Sequence, residues 1–315
     1  MADAAMLFAL AGAMFLGSYI SGLVPLSLPL TEARLHLVSV FGAGLLVGTA
    51  LSVIIPEGIS TLYTTQMRRF HHDRSSTRLA GGPTPLKSDP AAPHGGNHGG
   101  LDELDPRNLV GVTLVLGFLF MLLVDQLVSR HRHSKVLPTS VSGESSVTAT
   151  LGLIVHAAAD GVALGAAATT SNLDTEAVVF LAIMLHKAPA AFALVSFLMH
   201  EAVERTTIRK HLLIFSLAAP LLALITFFAI NRGATESISS LHATGVALLF
   251  SAGTFLYVAT VHVLPELVVR HSNHQGDARG RSGTPSSDGF TKTDVLTIVV
   301  GALMPVLLTL GRHGH

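Results

Sequence analysis

The chain alternates between long apolar stretches and polar stretches of varied length. A bilayer core of roughly 30 Å is crossed by about 20 consecutive, mostly apolar residues in a helix. Eight stretches meet this length, at about 4–26, 38–60, 108–129, 147–170, 176–199, 211–230, 242–267 and 293–311. The pattern predicts an all-α polytopic membrane protein with eight transmembrane helices.

The polar stretches divide this bundle into segments. Residues 64–107 and 268–292 are polar, rich in Gly, Pro or Ser, and without periodicity, so we expect two disordered loops. Residues 130–146 form a shorter basic loop. The remaining segments are 1–63 with helices 1 and 2, 108–129 with helix 3, 147–199 with helices 4 and 5, 211–267 with helices 6 and 7, and 293–315 with helix 8 and the tail.

Composition supports a membrane protein and narrows its chemistry. Apolar residues make up 49% of the chain and charged residues 13%, about half the roughly 25% of soluble proteins. The net charge is zero, so nothing indicates a nucleic-acid partner, and the lipid bilayer is the expected environment. The chain has no Cys and 17 His residues. A tight metal site would therefore be built from His, carboxylate, thioether or backbone groups.

The orientation follows from the distribution of Lys and Arg. These residues are concentrated in the loops between helices 1 and 2, 3 and 4, 5 and 6, and 7 and 8, once the long loop 64–107 is set aside. Loops rich in Lys and Arg face the cytosol. We therefore expect loop 130–146 to be cytosolic and both termini to face away from the cytosol.

One segment of the chain is repeated. Residues 41–57 (FGAGLLVGTALSVIIPE) and 250–266 (FSAGTFLYVATVHVLPE) align without a gap, and both end in Pro-Glu. They lie in spans 2 and 7, which run in opposite directions if there are eight spans. This is typical of the inverted repeats of secondary transporters. It predicts a 3+2+3 arrangement, with helices 4 and 5 as the central pair; chance similarity of two Ala/Gly-rich helices is the competing explanation.

The central pair carries the candidate chemistry. An ionisable side chain at mid-span costs about 2.5–3.5 kcal/mol, so each one is a functional candidate. His156 and Asp160 are four residues apart on one face of helix 4, and His186 lies at similar depth in helix 5. Two imidazoles and a carboxylate form a borderline three-ligand set for Zn²⁺ with a fourth position open. The simpler alternative is a membrane histidine that only hydrogen-bonds a neighbouring helix.

Other ionisable residues in the spans are less easily assigned. Lys187 follows His186; its ammonium either pairs with Asp160 or takes the place of a second cation. Glu57 and Glu266 lie near span ends, where a pathway role and an interfacial carboxylate are equally good interpretations. Asp125, at the end of span 3, is expected to mark the membrane interface.

The motifs together resemble a known transporter family. GAGLLVGTALSVIIPEG, TLGLIVHAAADGVALGAAA, AIMLHKAPAAFALVSFLMH and FSAGTFLYVATVHVLPE are similar to segments of the ZIP (Zrt/Irt-like) metal-ion transporters, most of all to the branch of its ninth member. The resemblance implies eight helices in the 3+2+3 arrangement. It also implies a metal held by His156, Asp160 and His186, and movement of Zn²⁺, sometimes Fe²⁺, Mn²⁺ or Cd²⁺, into the cytosol.

Some positions depart from the family pattern. Ala157, Lys187 and Ala190 stand where many relatives have ligands of a second metal, so we expect a mononuclear site. His262 stands where some relatives have Asp, which implies a pathway residue near the cytosolic end.

The resemblance also sets expectations for partners and location. Zn²⁺ is the transported substrate, no cofactor is expected, and a homodimer is compatible with the family. The expected location is the Golgi, the trans-Golgi network and/or the plasma membrane. An enzyme is not expected, because an intramembrane metalloprotease usually carries H-E-x-x-H, and the helix 4 motif has alanines where the Glu would stand. The alternatives are a zinc exporter of the cation-diffusion-facilitator type and a metal-sensing receptor without transport.

Overall fold

A computed structural model describes most of the membrane-embedded part of the chain. The described residues are 2–29, 31–64, 67, 106–133, 142–170, 173–232, 237–267 and 290–312. Within these residues the structure contains eight helices and no strand, which confirms the predicted all-α class. Apart from their ends, the two loops expected to be disordered lie outside the described residues.

The eight helices, α1 to α8, follow the predicted spans in order. The first four are α1 (Ala2–Ser27), α2 (Glu32–Thr49, a π-helical turn at Ala50–Ile54, then helix to residue 64), α3 (Pro106–His133) and α4 (Ser142–Ala167, then a 3₁₀ turn at Ala168–Thr170). The others are α5 (Leu173–His200), α6 (Arg205–Arg232), α7 (Ser237–Tyr257, a π-helical turn at Val258–Val263, then helix to residue 267) and α8 (Lys292–Arg312).

Several helices are longer than the apolar spans that predict them. α3 continues to His133 and α4 begins at Ser142, so the described ends of loop 130–146 are helical. The apolar pattern reports only the length that suits the hydrocarbon core, whereas hydrogen bonding within a helix continues into the polar interface. The predicted span therefore ends before the end of α3, and the next predicted span begins after the start of α4.

The surface of the bundle is suited to lipid. By length and composition, α1 to α7 could each cross a membrane. In α8, Leu296, Leu303 and Leu307 are 64%, 53% and 65% exposed. Contiguous apolar exposure of this kind is unfavourable in water and normal against lipid tails. Together with the eight-helix architecture, this identifies a polytopic membrane protein.

The helices pack as an inverted repeat. α4 packs on α6 and α7 just as α5 packs on α1 and α2, and α7 packs on α3 just as α2 packs on α8. Where α2 meets α7, Gly58 lies beside Leu249 and Gly245 lies beside Leu62, so the two helices are antiparallel. The 3+2+3 arrangement predicted from the sequence is confirmed.

Equivalent glycines fix the register between the two repeats. Gly117 of α3 lies against the carbonyl of Phe250 in α7, and Gly301 of α8 lies against the carbonyl of Phe41 in α2. Phe41 and Phe250 are the aligned first residues of the repeated segment. A Cβ at either glycine would clash with backbone, so only glycine permits these close helix crossings.

The two repeats also share a distortion. The π-helical turns at Ala50–Ile54 and Val258–Val263 lie at equivalent positions, shortly before Pro56 and Pro265. Proline has no N–H to donate, so the regular hydrogen-bond pattern cannot continue through either residue. A π-helical turn is the local adjustment that this break permits. Both turns lie beside the central helices α4 and α5.

Candidate metal centre

Helix α4 presents two donors to the middle of the bundle. His156 and Asp160 are separated by one helical turn, and His156 Nε2 lies 3.3 Å from Asp160 Oδ2. Both side chains are buried, with exposures of 1% and 0%. Alanines surround them in the sequence, which leaves room for neighbouring helices to approach closely.

Helix α5 brings the third donor. His186 Nε2 lies 3.0 Å from Asp160 Oδ2, and the His186 side chain is also buried. One ligand atom from each of His156, Asp160 and His186 lies within 4.8 Å of the other two. A tetrahedron with bonds of about 2.0–2.1 Å to zinc has edges of about 3.3 Å, close to the 3.3 Å and 3.0 Å that separate His156 Nε2 and His186 Nε2 from Asp160 Oδ2. The structure thus brings together the three residues that the sequence singled out.

The two central helices occupy equivalent positions but carry different ligands. When His156 is aligned with His186, α4 and α5 show nearly the same succession of buried and half-buried residues. In this alignment Ala190 is the counterpart of Asp160, and Lys187 is the counterpart of Ala157. The second helix therefore adds one imidazole and no carboxylate, which limits the donor set to three.

The Lys187 ammonium points towards α6. Nζ donates a hydrogen bond to the carbonyl oxygen of Phe215 at 3.5 Å and lies 4.5 Å from the centre of the Phe215 ring. In the described part of the chain Lys187 forms no ion pair with Asp160, although the carboxylate acts on the ammonium electrostatically. The carbonyl oxygen and the ring face of Phe215 both stabilise this buried ammonium next to His186.

Ser251 of α7 also contacts the centre, although the sequence did not predict a role for it. Its hydroxyl donates to Asp160 Oδ1 at 2.6 Å, and its Oγ also lies 2.6 Å from His156 Nδ1. The ring of Phe255, one turn later, lies 4.3 Å from the His156 ring. A hydroxyl at the position where the other repeat has Gly42 is the signal that could have identified Ser251.

A second polar cluster joins α3 to α7. Tyr257 donates its hydroxyl to Asp125 Oδ2 at 2.9 Å, and His262 Nε2 lies 3.5 Å from Asp125 Oδ1. Glu266, one turn after His262, is close enough to act on it electrostatically. Asp125 was expected to mark the interface; its carboxylate also contacts Tyr257 and His262 of α7.

At the opposite end of the bundle, Glu57 lines a small polar cavity of about 220 Å³ between α2, α5 and α8. Its other lining residues are Ser52, Val53, Pro56, Ser60, Leu185 and Thr309. Leu185, the lining residue from α5, immediately precedes His186 in the sequence. Glu57, His262 and Glu266 are thus not grouped with the three central donors, and the antiparallel packing of α2 and α7 places Glu57 and Glu266 at opposite ends of the bundle.

The arrangement is suited to holding a divalent cation away from water. Imidazole and carboxylate are good ligands for zinc and similar metals, and three protein ligands leave a coordination position open. Asp160 supplies negative charge that would offset part of the charge of such an ion, and Ser251 contacts both His156 and Asp160.

Comparisons with known proteins agree with this geometry. A family model described as ZIP Zinc transporter matches residues 4–147 and 133–309. The chain is 50% identical over 305 residues to "Zinc transporter ZIP9" of Micropogonias undulatus, and 49% identical over 305 residues to "Zinc transporter ZIP9-B" of Xenopus laevis, with 96% of each chain covered in both cases. It is 29% identical over 126 residues to "Protein zntD" of Dictyostelium discoideum, covering 39% of this chain and 17% of that protein. The chain belongs to the ZIP zinc transporter family.

Proposed function

We propose that this protein is a carrier that moves Zn²⁺ into the cytosol, from outside the cell or from the lumen of an organelle. The observation that carries the proposal is the convergence of His156, Asp160 and His186 in the buried centre of the bundle. The chemistry of this donor set favours zinc. The two relatives named as zinc transporters support the same ion.

One ion occupies the centre at a time. The ion is bound by His156, Asp160 and His186. A water molecule or another polar group along the transport route fills the fourth coordination position. Ala190 provides no second carboxylate, and the Lys187 ammonium adds a positive charge beside His186. Both features oppose a second divalent ion in contact with the first.

The route runs from the cavity at Glu57, through the centre, to the cluster of Asp125, His262 and Glu266. The Glu57 carboxylate attracts cations into the entrance, and the second cluster accepts the ion on its way out. The distribution of Lys and Arg places the Glu57 end away from the cytosol and the His262 end towards it. The direction of transport into the cytosol follows from the family resemblance and this orientation.

The membrane that holds the carrier is that of the Golgi, the trans-Golgi network and/or the plasma membrane, as the family resemblance implies. From any of these locations, transport in the proposed direction raises cytosolic zinc. A carrier of the cation-diffusion-facilitator type would lower it.

Reconstitution of the purified protein tests this proposal. The protein is inserted into liposomes that contain a zinc-sensitive dye, and Zn²⁺, Fe²⁺, Mn²⁺ or Cd²⁺ is added outside. We expect saturable zinc entry without ATP, absent in protein-free liposomes. In cells, expression should raise cytosolic zinc.

Two results would overturn the proposal. Zinc binding with no flux in liposomes would indicate a metal-sensing receptor, and a fall in cytosolic zinc on expression would indicate an exporter. Asp160→Ala protein, reconstituted at the same density, is the matched control for flux through the centre.

A further inference from the structure

We infer that Ser251 is a positioning residue for the metal: it fixes His156 and Asp160 in the orientation that binds zinc, and it makes this orientation depend on the contact between α4 and α7. The inference rests on the proposed function and adds a residue outside the central pair of helices. Ser251 is completely buried, and it lies in α7, whereas the three ligands lie in α4 and α5.

The hydrogen bonds around Ser251 determine which nitrogen of His156 carries a proton. His156 Nδ1 lies 3.1 Å from the backbone carbonyl oxygen of Ser251. A carbonyl oxygen only accepts, so Nδ1 carries the proton and donates it. In a neutral imidazole the other nitrogen, Nε2, is then bare. Nε2 is the atom that faces Asp160 and His186, so His156 is held in the form that a metal needs.

The Ser251 hydroxyl orients the carboxylate in the same way. Its Oγ lies 2.6 Å from His156 Nδ1, which carries its own proton and therefore donates to the hydroxyl oxygen. The hydroxyl proton is left for Asp160 Oδ1, at 2.6 Å, or the His156 carbonyl oxygen, at 3.3 Å. The bond to the ionised carboxylate is the shorter and the stronger of the two. With Oδ1 engaged by Ser251, Oδ2 is the oxygen that faces both histidines. One residue thus aligns two of the three donors.

The third donor lacks such support among the described residues. His186 Nε2 lies 3.0 Å from Asp160 Oδ2, while its Nδ1 is buried with no hydrogen-bond partner in the described part of the chain. His156 is therefore aligned by a neighbouring helix and His186 only by the carboxylate. This difference makes the bonds from Ser251 the main external constraint on the geometry of the centre.

Comparison of the two repeats shows that helix packing alone does not require the hydroxyl of Ser251. Ser251 has Gly42 as its counterpart in α2, and Gly42 lies against Ala193 of α5 with no polar contact to make. Close packing of α7 on α4 would therefore be satisfied by a small residue alone. The hydroxyl occurs in α7, the copy that packs on α4, and α4 carries both His156 and Asp160.

A mechanical consequence follows for release. α4 carries two ligands, and α7 carries the group that aligns them. When α4 shifts relative to α7, the bonds from Ser251 to His156 and Asp160 lengthen and the two ligands lose their alignment. The affinity of the centre for zinc then falls when the helices move. Release of the ion is thereby coupled to the motion of α4 relative to α7.

The test compares metal binding and transport in Ser251→Ala, Ser251→Thr and Ser39→Ala proteins. Ser39 is the matched control, because it is also a buried serine that bridges two helices, donating to the carbonyl oxygen of Ser196 in α5 at 2.8 Å, away from the metal centre. Zinc affinity is measured in detergent by competition with a chelator. The visible spectrum of bound Co²⁺ reports the ligand geometry, and zinc uptake into liposomes gives KM and Vmax.

We expect Ser251→Ala to weaken zinc binding by about 10–100-fold, as removal of partners of metal ligands typically does. Its Co²⁺ spectrum should shift and its KM should rise in proportion, while Vmax at saturating zinc is largely retained. Ser251→Thr, which keeps the hydroxyl, should bind more tightly than Ser251→Ala. Ser39→Ala should match the wild type in both affinity and spectrum.

Other outcomes separate this inference from the proposed function. Wild-type protein that binds no zinc would contradict the proposed function itself. Wild-type binding together with an unchanged affinity and Co²⁺ spectrum in Ser251→Ala would overturn the inference alone. If Ser251→Ala does not fold, Ser251→Gly, which has the residue found in the other repeat, replaces it. Failure of both to fold while Ser39→Ala folds would show that the serine is structural and overturn the inference.

Discussion

Glu57 and Glu266 hold equivalent positions in the two repeats, yet they lie at opposite ends of the bundle because α2 and α7 are antiparallel. Their surroundings differ. Asp125 and Thr309 each lie eight residues after the equivalent glycines of α3 and α8, so a carboxylate at one end corresponds to a hydroxyl at the other. His262 adds an imidazole next to Asp125. The two ends of the same fold therefore carry different polar groups.

This difference predicts separate kinetic effects at the two ends. Glu57→Gln should raise KM for zinc several-fold and leave Vmax nearly unchanged, since a half-buried carboxylate at an entrance contributes mainly attraction of the ion, about 1 kcal/mol. Higher ionic strength should reduce the difference between variant and wild type. A large fall in Vmax with an unchanged KM would contradict an entrance role.

His262→Ala should act mainly on Vmax for zinc uptake. Loss of the imidazole removes a group that receives the ion after the centre, so Vmax should fall several-fold with a smaller effect on KM. Tyr257→Phe, which removes only the hydrogen bond to Asp125, should have a weaker effect in the same direction. Uptake by His262→Ala that equals the wild type at all zinc concentrations would exclude this cluster from the route.

The orientation can be tested by cysteine labelling, because the chain has no native Cys. Glu204, in the turn between α5 and α6, and Ser60, at the Glu57 cavity, are both exposed. We expect Glu204→Cys to react with a membrane-impermeant thiol reagent only from the cytosolic side, and Ser60→Cys only from the opposite side. The reverse pattern would invert the proposed direction of the route.

Lys187 should lower the affinity of the centre for zinc. Replacement by Met keeps most of the length of the side chain and its contact with Phe215 but removes a positive charge near a divalent ion. We expect Lys187→Met to bind zinc about tenfold more tightly, which corresponds to about 1.4 kcal/mol of lost repulsion. Lys210→Met, at an exposed position of α6, is the control.

Elemental analysis of the same proteins tests the number of ions. Both wild type and Lys187→Met should contain one zinc per chain, since Ala190 supplies no further carboxylate. Two tightly bound ions in the wild-type centre would contradict the mononuclear site. Weaker binding in Lys187→Met would contradict the repulsive role of the lysine.

The glycine crossings should be essential for stability. In Gly44→Ala, the new Cβ would meet the backbone of Ile298 in α8, and overpacking of this kind costs about 1–3 kcal/mol. Gly12→Ala is the control, because no atom lies within 4 Å of a Cβ at that position. The melting temperature in detergent should fall for Gly44→Ala and remain near the wild-type value for Gly12→Ala. Equal melting temperatures would show that the α2–α8 crossing tolerates a side chain.

Much of this centre could be predicted because ionisable groups are costly in lipid. His156, Asp160 and His186 stand out against apolar neighbours, and their spacing on two adjacent helices indicates a shared site. The register of the repeat was also visible, since both copies keep the small residues needed at close crossings and the Pro-Glu ending. In both cases, the cost of ionisable groups in lipid or the close approach of two helices directly limits which residue types can occupy a position.

Ser251 and Asp125 could not be assigned in the same way. A serine in a membrane helix often bonds to a carbonyl of its own helix, so its type alone does not reveal a partner in another helix. Asp125 lies near a span end, where a carboxylate reaches water at little cost; only the packing of α3 on α7 brings it to Tyr257 and His262. Such contacts depend on the rotation of each helix about its axis, which the apolar pattern leaves open.

The most direct test of the central claim is initial zinc uptake into liposomes by wild-type, His156→Ala, Asp160→Ala and His186→Ala proteins, reconstituted at equal density. A fourth variant, His211→Ala, removes an imidazole that bonds to Thr150 outside the centre and serves as the control. A three-ligand site has no spare donor, so we expect each of the first three variants to lose most uptake while His211→Ala keeps it. Uptake close to the wild-type rate in any of the three would show that the residue is not a ligand of the transported ion.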